Sequence, residues 1–338
     1  MPVYLLGMVH TVGGAGGEFW HAAQLWKRYG ADVRIIPTWA AADPEWIVRT
    51  ENAGLPIIDC PDAKGLASIP DLPGSTVVAF CNDRAVSAFP ELRKLGCRIV
   101  YCPLMCSVRA SEKLGYRTAF PDVIVFQSEY QRSKMQPQLA TYGYTPDKGV
   151  LIRGGISYWD MPFRPRPRMR YDQPFVVGRM ARASTDKWHR NLWQIYENIP
   201  NRRAIVMGVN LHIQSYLGQA PTWATTLEPN AIPPESFYRM LHAYVTMNGT
   251  VDENWPAVGR EAMAYGVPVV AEDAFGWKEM IVHGETGFLG KTPEKIGDLA
   301  AQLAADEPLR LKITRQARDH LEQMLAPEAL WAQWAEIL

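Results

Sequence analysis

Residues Asn248 to Gly290 read NGTVDENWPAVGREAMAYGVPVVAEDAFGWKEMIVHGETGFLG. Pro256 suits the first turn of a helix, where its fixed φ is already right and its missing N–H is not needed. Gly266 supplies the left-handed residue that commonly ends one. The following run, VPVVA, is short, apolar and rich in β-branched residues, which predicts a strand buried on both faces. Loop, helix, glycine turn, strand and a second loop at Gly276 together form one αβ repeat of a doubly wound sheet. Seven residues separate Glu253, in the loop before the helix, from Glu261 in its body. The helix start turns the N–H groups of Ala257, Val258 and Gly259 toward that loop, an arrangement that attracts a phosphate. Glu261 is then placed to accept hydrogen bonds from a ribose diol, and Glu253 to meet a sugar hydroxyl.

The same alternation extends in both directions. VYLLGMV (Val3 to Val9), DVRIIPTW, STVVAFCN, CRIVYCPL, DVIVFQS and GVLIRGG are short apolar runs. Helical stretches lie between several of them, among them Glu18 to Tyr29, where Phe19, Ala22, Ala23, Leu25 and Trp26 recur at helical spacing, and Glu129 to Tyr142. This predicts an α/β domain over residues 1–160. FVVGRM, RAIVMGV, AYVTMN and GVPVVAE predict a second over 175–325, and the proline- and arginine-rich residues 161–174 read as an extended linker. Residues 326–338 read as an amphipathic helix with Leu330, Trp331, Trp334 and Leu338 along one face, expected to pack across the two domains.

Composition narrows the class. The 338 residues are 47% hydrophobic and 21% charged, which excludes a wholly disordered chain. Thirty-five basic and thirty-five acidic residues balance, so nothing global attracts nucleic acid or anionic lipid. No apolar run approaches the roughly 18 residues of a membrane span, and the N-terminus lacks a basic region ahead of an apolar one, so a cytoplasmic protein is expected. The five cysteines (Cys60, Cys81, Cys97, Cys102, Cys106) are odd in number and form no CxxC pair, as expected of reduced thiols.

The E-x7-E pair, followed by EAMAxGxPVV, a G-x-x-E and an HGxTGFL run, resembles the donor site of family-4 retaining glycosyltransferases. The resemblance implies the GT-B fold, two Rossmann-like domains facing a cleft, and assigns Glu253 to the donor sugar and Glu261 to the ribose. Where the family commonly has Gly-Phe-Gly, this chain has Asn254-Trp255-Pro256, so Trp255 and Pro256 are expected to narrow the sugar pocket. In VGRMARASTDKWHRN, Arg182 and Lys187 match the family's R-x4-K, whose cations neutralise the donor diphosphate, with Arg179 a competing candidate. The loop HTVGGAGGEFW resembles the one that faces the donor phosphates, with Gly13 and Gly14 allowing close backbone approach. Its spacing fails the G-x-G-x-x-G dinucleotide pattern. QSEYQ and IRGGI extend the resemblance over nearly the whole chain.

Other residues are open to two readings. His10 is either a strand-end histidine or a contact to acceptor or phosphate, and His283 reads as structural. Asn82 and Asp83 follow a strand at the edge where ligands bind; Asp83 either meets an acceptor hydroxyl or caps a helix. Arg109 and Glu112 are weaker candidates of the same kind. Trp39, Trp46, Trp159, Trp188, Trp255 and Trp277 fall in or beside loops, and Trp255 and Trp277 flank the donor motifs. Arg164, Arg166, Arg168 and Arg170 form a solvated run or a polyanion contact.

The expected activity is retaining transfer of a sugar from a UDP- or GDP-linked donor to a hydroxyl of a glycan, lipid or small molecule. Alternatives are transfer to hydroxymethylated bases in DNA and a non-catalytic sugar-nucleotide-binding subunit. No D-x-D triad is evident, so no essential metal is expected.

Overall fold

The computed structural model describes residues 1–7, 9, 14–166 and 173–338. The chain divides into two compact units, one formed by Met1–Ser157 with Leu325–Leu338, the other by Tyr158–Met324.

The first unit holds β1 (Val3–Gly7), β2 (Val33–Pro37), β3 (Thr76–Phe80), β4 (Arg98–Cys102), β5 (Val123–Phe126) and β6 (Gly149–Leu151). They form one all-parallel sheet in the order β2-β1-β3-β4-β5-β6. Strand order reverses between β1 and β3, so the loops after those strands diverge and leave a crevice at the carboxyl edge. The first helix is Gly14–Arg28, four residues longer at its start than the apolar spacing indicated. Gly14, Gly16 and Gly17 are therefore helical, not part of a loop. The helix Pro327–Ala335 returns to this unit: Trp334 packs edge-on against Trp26 at 4.9 Å, and Trp331 stacks on Tyr29 at 5.7 Å. Thr76 Oγ1 donates to the Leu338 carbonyl at 2.6 Å.

The second unit holds β7 (Phe175–Met180), β8 (Arg202–Met207), β9 (Ala224–Leu227), β10 (Ala243–Val245), β11 (Val269–Glu272) and β12 (Phe288–Gly290). Its sheet is also all parallel, in the order β12-β11-β10-β7-β8-β9. This is the Rossmann order, with the reversal between β7 and β10. The helix Ala257–Tyr265 starts at Pro256 as expected and ends on Gly266 at φ 84°, with Val267 N–H donating to Ala262 O at 2.8 Å. Phe175, Val177, Ala204, Val206, Ala243, Val245 and Val270 bury one face of the sheet against helices that include Leu192–Glu197 and Pro293–Ala305. Among the described residues, no helix is long and apolar enough to cross a membrane.

Candidate functional site

Strand order in the second unit fixes where its chemistry is assembled. The loops leaving β7 and β10 meet at the switch point, and the side chains between them form one network. At its base is Arg179, 1% exposed, with its guanidinium 4.7 Å over the Trp188 ring. It donates to the carbonyls of Met247 and Lys187, both at 2.6 Å, stapling one loop to the other. Thr250 N–H donating to Asp186 O at 3.0 Å joins the loops a second time. Arg179 is thus buried scaffold, its cation directed at main-chain oxygens.

The two cations of the R-x4-K pattern stand above that staple, each already engaged. Arg182, whose side chain is 56% exposed, pairs with Asp186 at 2.8 Å. Ser184 Oγ also donates to Asp186. Burial raises the Asp186 pKa, but the Ser184 hydrogen bond and the Arg182 charge outweigh it and hold the carboxyl below its usual range. Lys187 Nζ lies 2.5 Å from Glu253 Oε1. Asn248 Nδ2 donates to the same oxygen at 2.9 Å. The structure therefore brings Lys187 and Glu253, 66 residues apart, into direct contact.

Glu253 is held from behind as well. Gly276 N–H donates to the Glu253 carbonyl at 2.8 Å, in so close an approach that a Cβ on Gly276 would meet Asn254 O at 1.5 Å. Trp255 and Trp277 are 4% and 1% exposed, so their rings lie in the core beneath the loop rather than open to a ligand. In the helix that follows, Pro256 O takes the N–H of Gly259 at 3.1 Å. The first-turn amides outside the helix's own ladder are then those of Ala257 and Val258. Glu261 accepts from Tyr238 Oη at 2.9 Å, and Tyr238, buried beside that carboxylate, has its pKa raised well above the ordinary value.

One residue that the sequence reading did not single out belongs to this network. Glu272 ends β11, is 7% exposed, and has Oε1 with no partner among the described residues. Burial first, and the Glu253 charge second, push its pKa up to about 7. The available signal was an acidic residue closing an otherwise apolar strand at the ligand-binding edge.

In the first unit, His10 and Gly13 lie outside the described residues, as do Arg168 and Arg170 of the arginine run. Gly14 opens the first helix. Asn82 caps the helix Asp83–Ser87, accepting from Arg84 and Ala85 N–H at 3.0 and 3.2 Å, so the cap considered for Asp83 falls one residue earlier. Asp83 instead pairs with Arg109. Arg109 also reaches Glu112, a 1%-exposed carboxylate that accepts from Tyr101 Oη at 2.6 Å. His283 Nδ1 accepts from Leu289 N–H at 3.0 Å, a structural contact. Among the described residues, no group of three or more His, Cys, Asp or Glu side chains is arranged to hold a metal ion.

Comparison with known proteins follows the same division. Residues 167–320 match the family described as glycosyl transferases group 1. The capsular polysaccharide biosynthesis glycosyltransferase CapM of Staphylococcus aureus is 27% identical over 171 residues, 47% of this chain and 44% of the relative. The D-inositol 3-phosphate glycosyltransferase of Corynebacterium diphtheriae is 35% identical over 109 residues, 31% of this chain and 24% of the relative. The matches thus span less than half the length of either relative. Among solved structures, Anabaena HepE in complex with UDP and glucose superposes with a TM-score of 0.76 over 99% of this chain and 98% of its own, at 18% identity. TarM gives 0.76 over 99% and 98%, at 10% identity. The fold of the chain is GT-B.

Proposed function

Residues 167–320 being a glycosyl transferases group 1 domain, we propose that the chain moves a sugar from a nucleoside diphosphate-sugar to an acceptor hydroxyl, with retention at the anomeric carbon. The observation that carries the reading is the Lys187–Glu253 pair at the switch point of the second unit. A cation for the diphosphate and a carboxylate for the sugar stand side by side, with Glu261 on the adjoining helix for the ribose. UDP is the favoured nucleotide, because HepE was solved with UDP and with UDP-glucose.

The charges of the site are paired with one another: Arg182 sits on Asp186 and Lys187 on Glu253. A diphosphate draws both cations off their carboxylates, and Glu253 exchanges its ammonium partner for sugar hydroxyls. Arg182, Lys187 and the Ala257 and Val258 amides then face the charge that grows on the leaving diphosphate. In the transfer, the bond from the anomeric carbon to the phosphate oxygen breaks. The acceptor oxygen bonds to the same face, and its proton passes to the departing diphosphate. That scheme requires neither a protein nucleophile nor a metal, and turnover should persist in EDTA. The acceptor is a hydroxyl of a glycan, lipid or small molecule.

The test is a thermal-shift screen against UDP, GDP, ADP and their sugar conjugates. A ligand at 100 times its Kd stabilises by about 2.7 kcal/mol. Selective stabilisation by one nucleotide, lost in Arg182→Ala/Lys187→Ala, is expected. Folded protein that no nucleotide stabilises would overturn the reading.

A further inference from the structure

Glu253 has a second glutamate, Glu272, beside it at the crevice between β10 and β7. Glu253 has a cation and an amide donor, at 2.5 and 2.9 Å. Glu272, one strand over on β11, has no ion pair among the described residues, and its Oε1 has no hydrogen-bond donor among them. The backbone N–H of Asn248, the residue whose side chain holds Glu253, donates to its carboxyl group. The charged groups around it are mostly of its own sign. Glu253 and Asp252 face it from the loop after β10, and Arg179, below, is turned to main-chain carbonyls. Lys278 and Lys291, on the flanking elements, are drawn to the neighbouring Asp273 instead, at 3.6 and 4.0 Å. A buried carboxyl beside a partly buried one that already holds the ammonium settles as the neutral acid. The ammonium is on Glu253, so Glu272 carries the proton. The raised pKa agrees with this geometry.

We propose that Glu272 is a positioning residue for the donor sugar: as the neutral acid it sets no charge against Glu253, and on losing its proton it drives Glu253 away from the sugar hydroxyls. The inference rests on the donor-site reading above and adds a pH limit to it. Once the diphosphate has drawn Lys187 away, an ionised Glu272 sets a second negative charge beside that of Glu253. Recognition of the sugar, and not of the nucleotide, is therefore what alkaline pH weakens.

The experiment compares the Kd of UDP with that of UDP-glucose by calorimetry, in the wild type and in Glu272→Gln, from about pH 6 to about pH 8.5, a range that brackets the Glu272 ionisation. Relative to Glu272→Gln, which keeps the shape and never ionises, wild-type affinity for UDP-glucose should fall roughly tenfold across that range. Affinity for UDP should keep a constant ratio between the two proteins, because the terminal phosphate of UDP titrates alike in both. Glu272→Met, also uncharged, replaces the glutamine variant if that does not fold. Binding with the same pH profile in wild type and variant overturns this inference alone. Absence of binding by either ligand at every pH overturns the donor-site reading, and this inference with it. Infrared difference spectra of wild type against variant add a ligand-independent arm: an acid carbonyl band that disappears near neutrality is expected, and one lost already below about pH 5 refutes the proton assignment.

Discussion

Replacing Lys187 with methionine keeps the aliphatic stem and removes the ammonium, stranding Glu253 beside Glu272 and Asp252. The cost follows from the distance and burial of the pair. At 2.5 Å, in an effective dielectric of about 20, the attraction is roughly 7 kcal/mol, much of it offset by the desolvation of both groups. Removing one partner of a buried pair generally costs about 3–5 kcal/mol. The side chains here are 21% and 14% exposed, so water reaches an edge of the pair and the lower figure, about 3 kcal/mol, applies. Glu253→Gln should cost less, because the long lysine stem can carry its charge back to solvent. The double variant should recover most of the loss, giving a coupling of about 2 kcal/mol in a double-mutant cycle. Urea unfolding of the four proteins at one pH, followed by tryptophan fluorescence, reads this directly. A Lys187→Met loss below about 0.5 kcal/mol, or strict additivity of the two substitutions, would show that solvent already screens the pair and that the crevice is not the low-dielectric site described.

Three further outcomes are expected. Because the Glu272 pKa is raised from 4.5 to about 7, its proton stabilises the fold below pH 4.5 and that contribution is lost as pH rises through 7. Glu272→Gln should therefore gain up to about 3 kcal/mol relative to wild type between about pH 4.5 and about pH 8, and an offset that stays constant in pH-dependent denaturation curves would refute the shift. Gly276→Ala, whose Cβ would overlap Asn254 O, should cost about 2–3 kcal/mol and weaken UDP-glucose binding by displacing Glu253, as thermal denaturation and calorimetry would show. Trp334→Ala should cost about 3–5 kcal/mol by opening a cavity against Trp26 and Phe80, and an unchanged melting temperature would exclude that packing role.

Long apolar runs made the sheets legible. Among the described residues, ten of the twelve strands coincide with a run that the pattern marks, because parallel strands buried on both faces leave a strong, local signal. The two missed strands lack it for visible reasons. β9, ATTL, has two threonines at its centre and a single long apolar residue, and β12, FLG, has only two apolar residues between glycines. The spacing of Glu253 and Glu261 and the R-x4-K pattern were equally visible, since each lies within one short window of sequence. Their partners were not. That Lys187 would sit on Glu253 depends on strand order, which no local window contains. Arg179 and Arg182, three residues apart, look alike in sequence and differ only in burial, at 1% exposure for the first and a half-exposed side chain for the second. Trp255 and Trp277 seemed suited to ligands because they flank the motifs, yet packing takes both rings. Glu272 was overlooked because a charged strand end ordinarily faces solvent, and only the neighbouring loops bury it.

The first unit is completed by Leu325–Leu338, beyond the second unit in sequence: β1 to β6 are made before that unit, but Trp334, the neighbour of Trp26 and Phe80, is made after it. During vectorial synthesis the entire second unit emerges before the first can close its core. The nascent first unit therefore waits with an aromatic face exposed, while residues Tyr158–Met324, contiguous in sequence, can collapse as soon as they leave the ribosome. Any chain released early, however complete its second unit, carries an unfilled aromatic socket for chaperones and proteases to find.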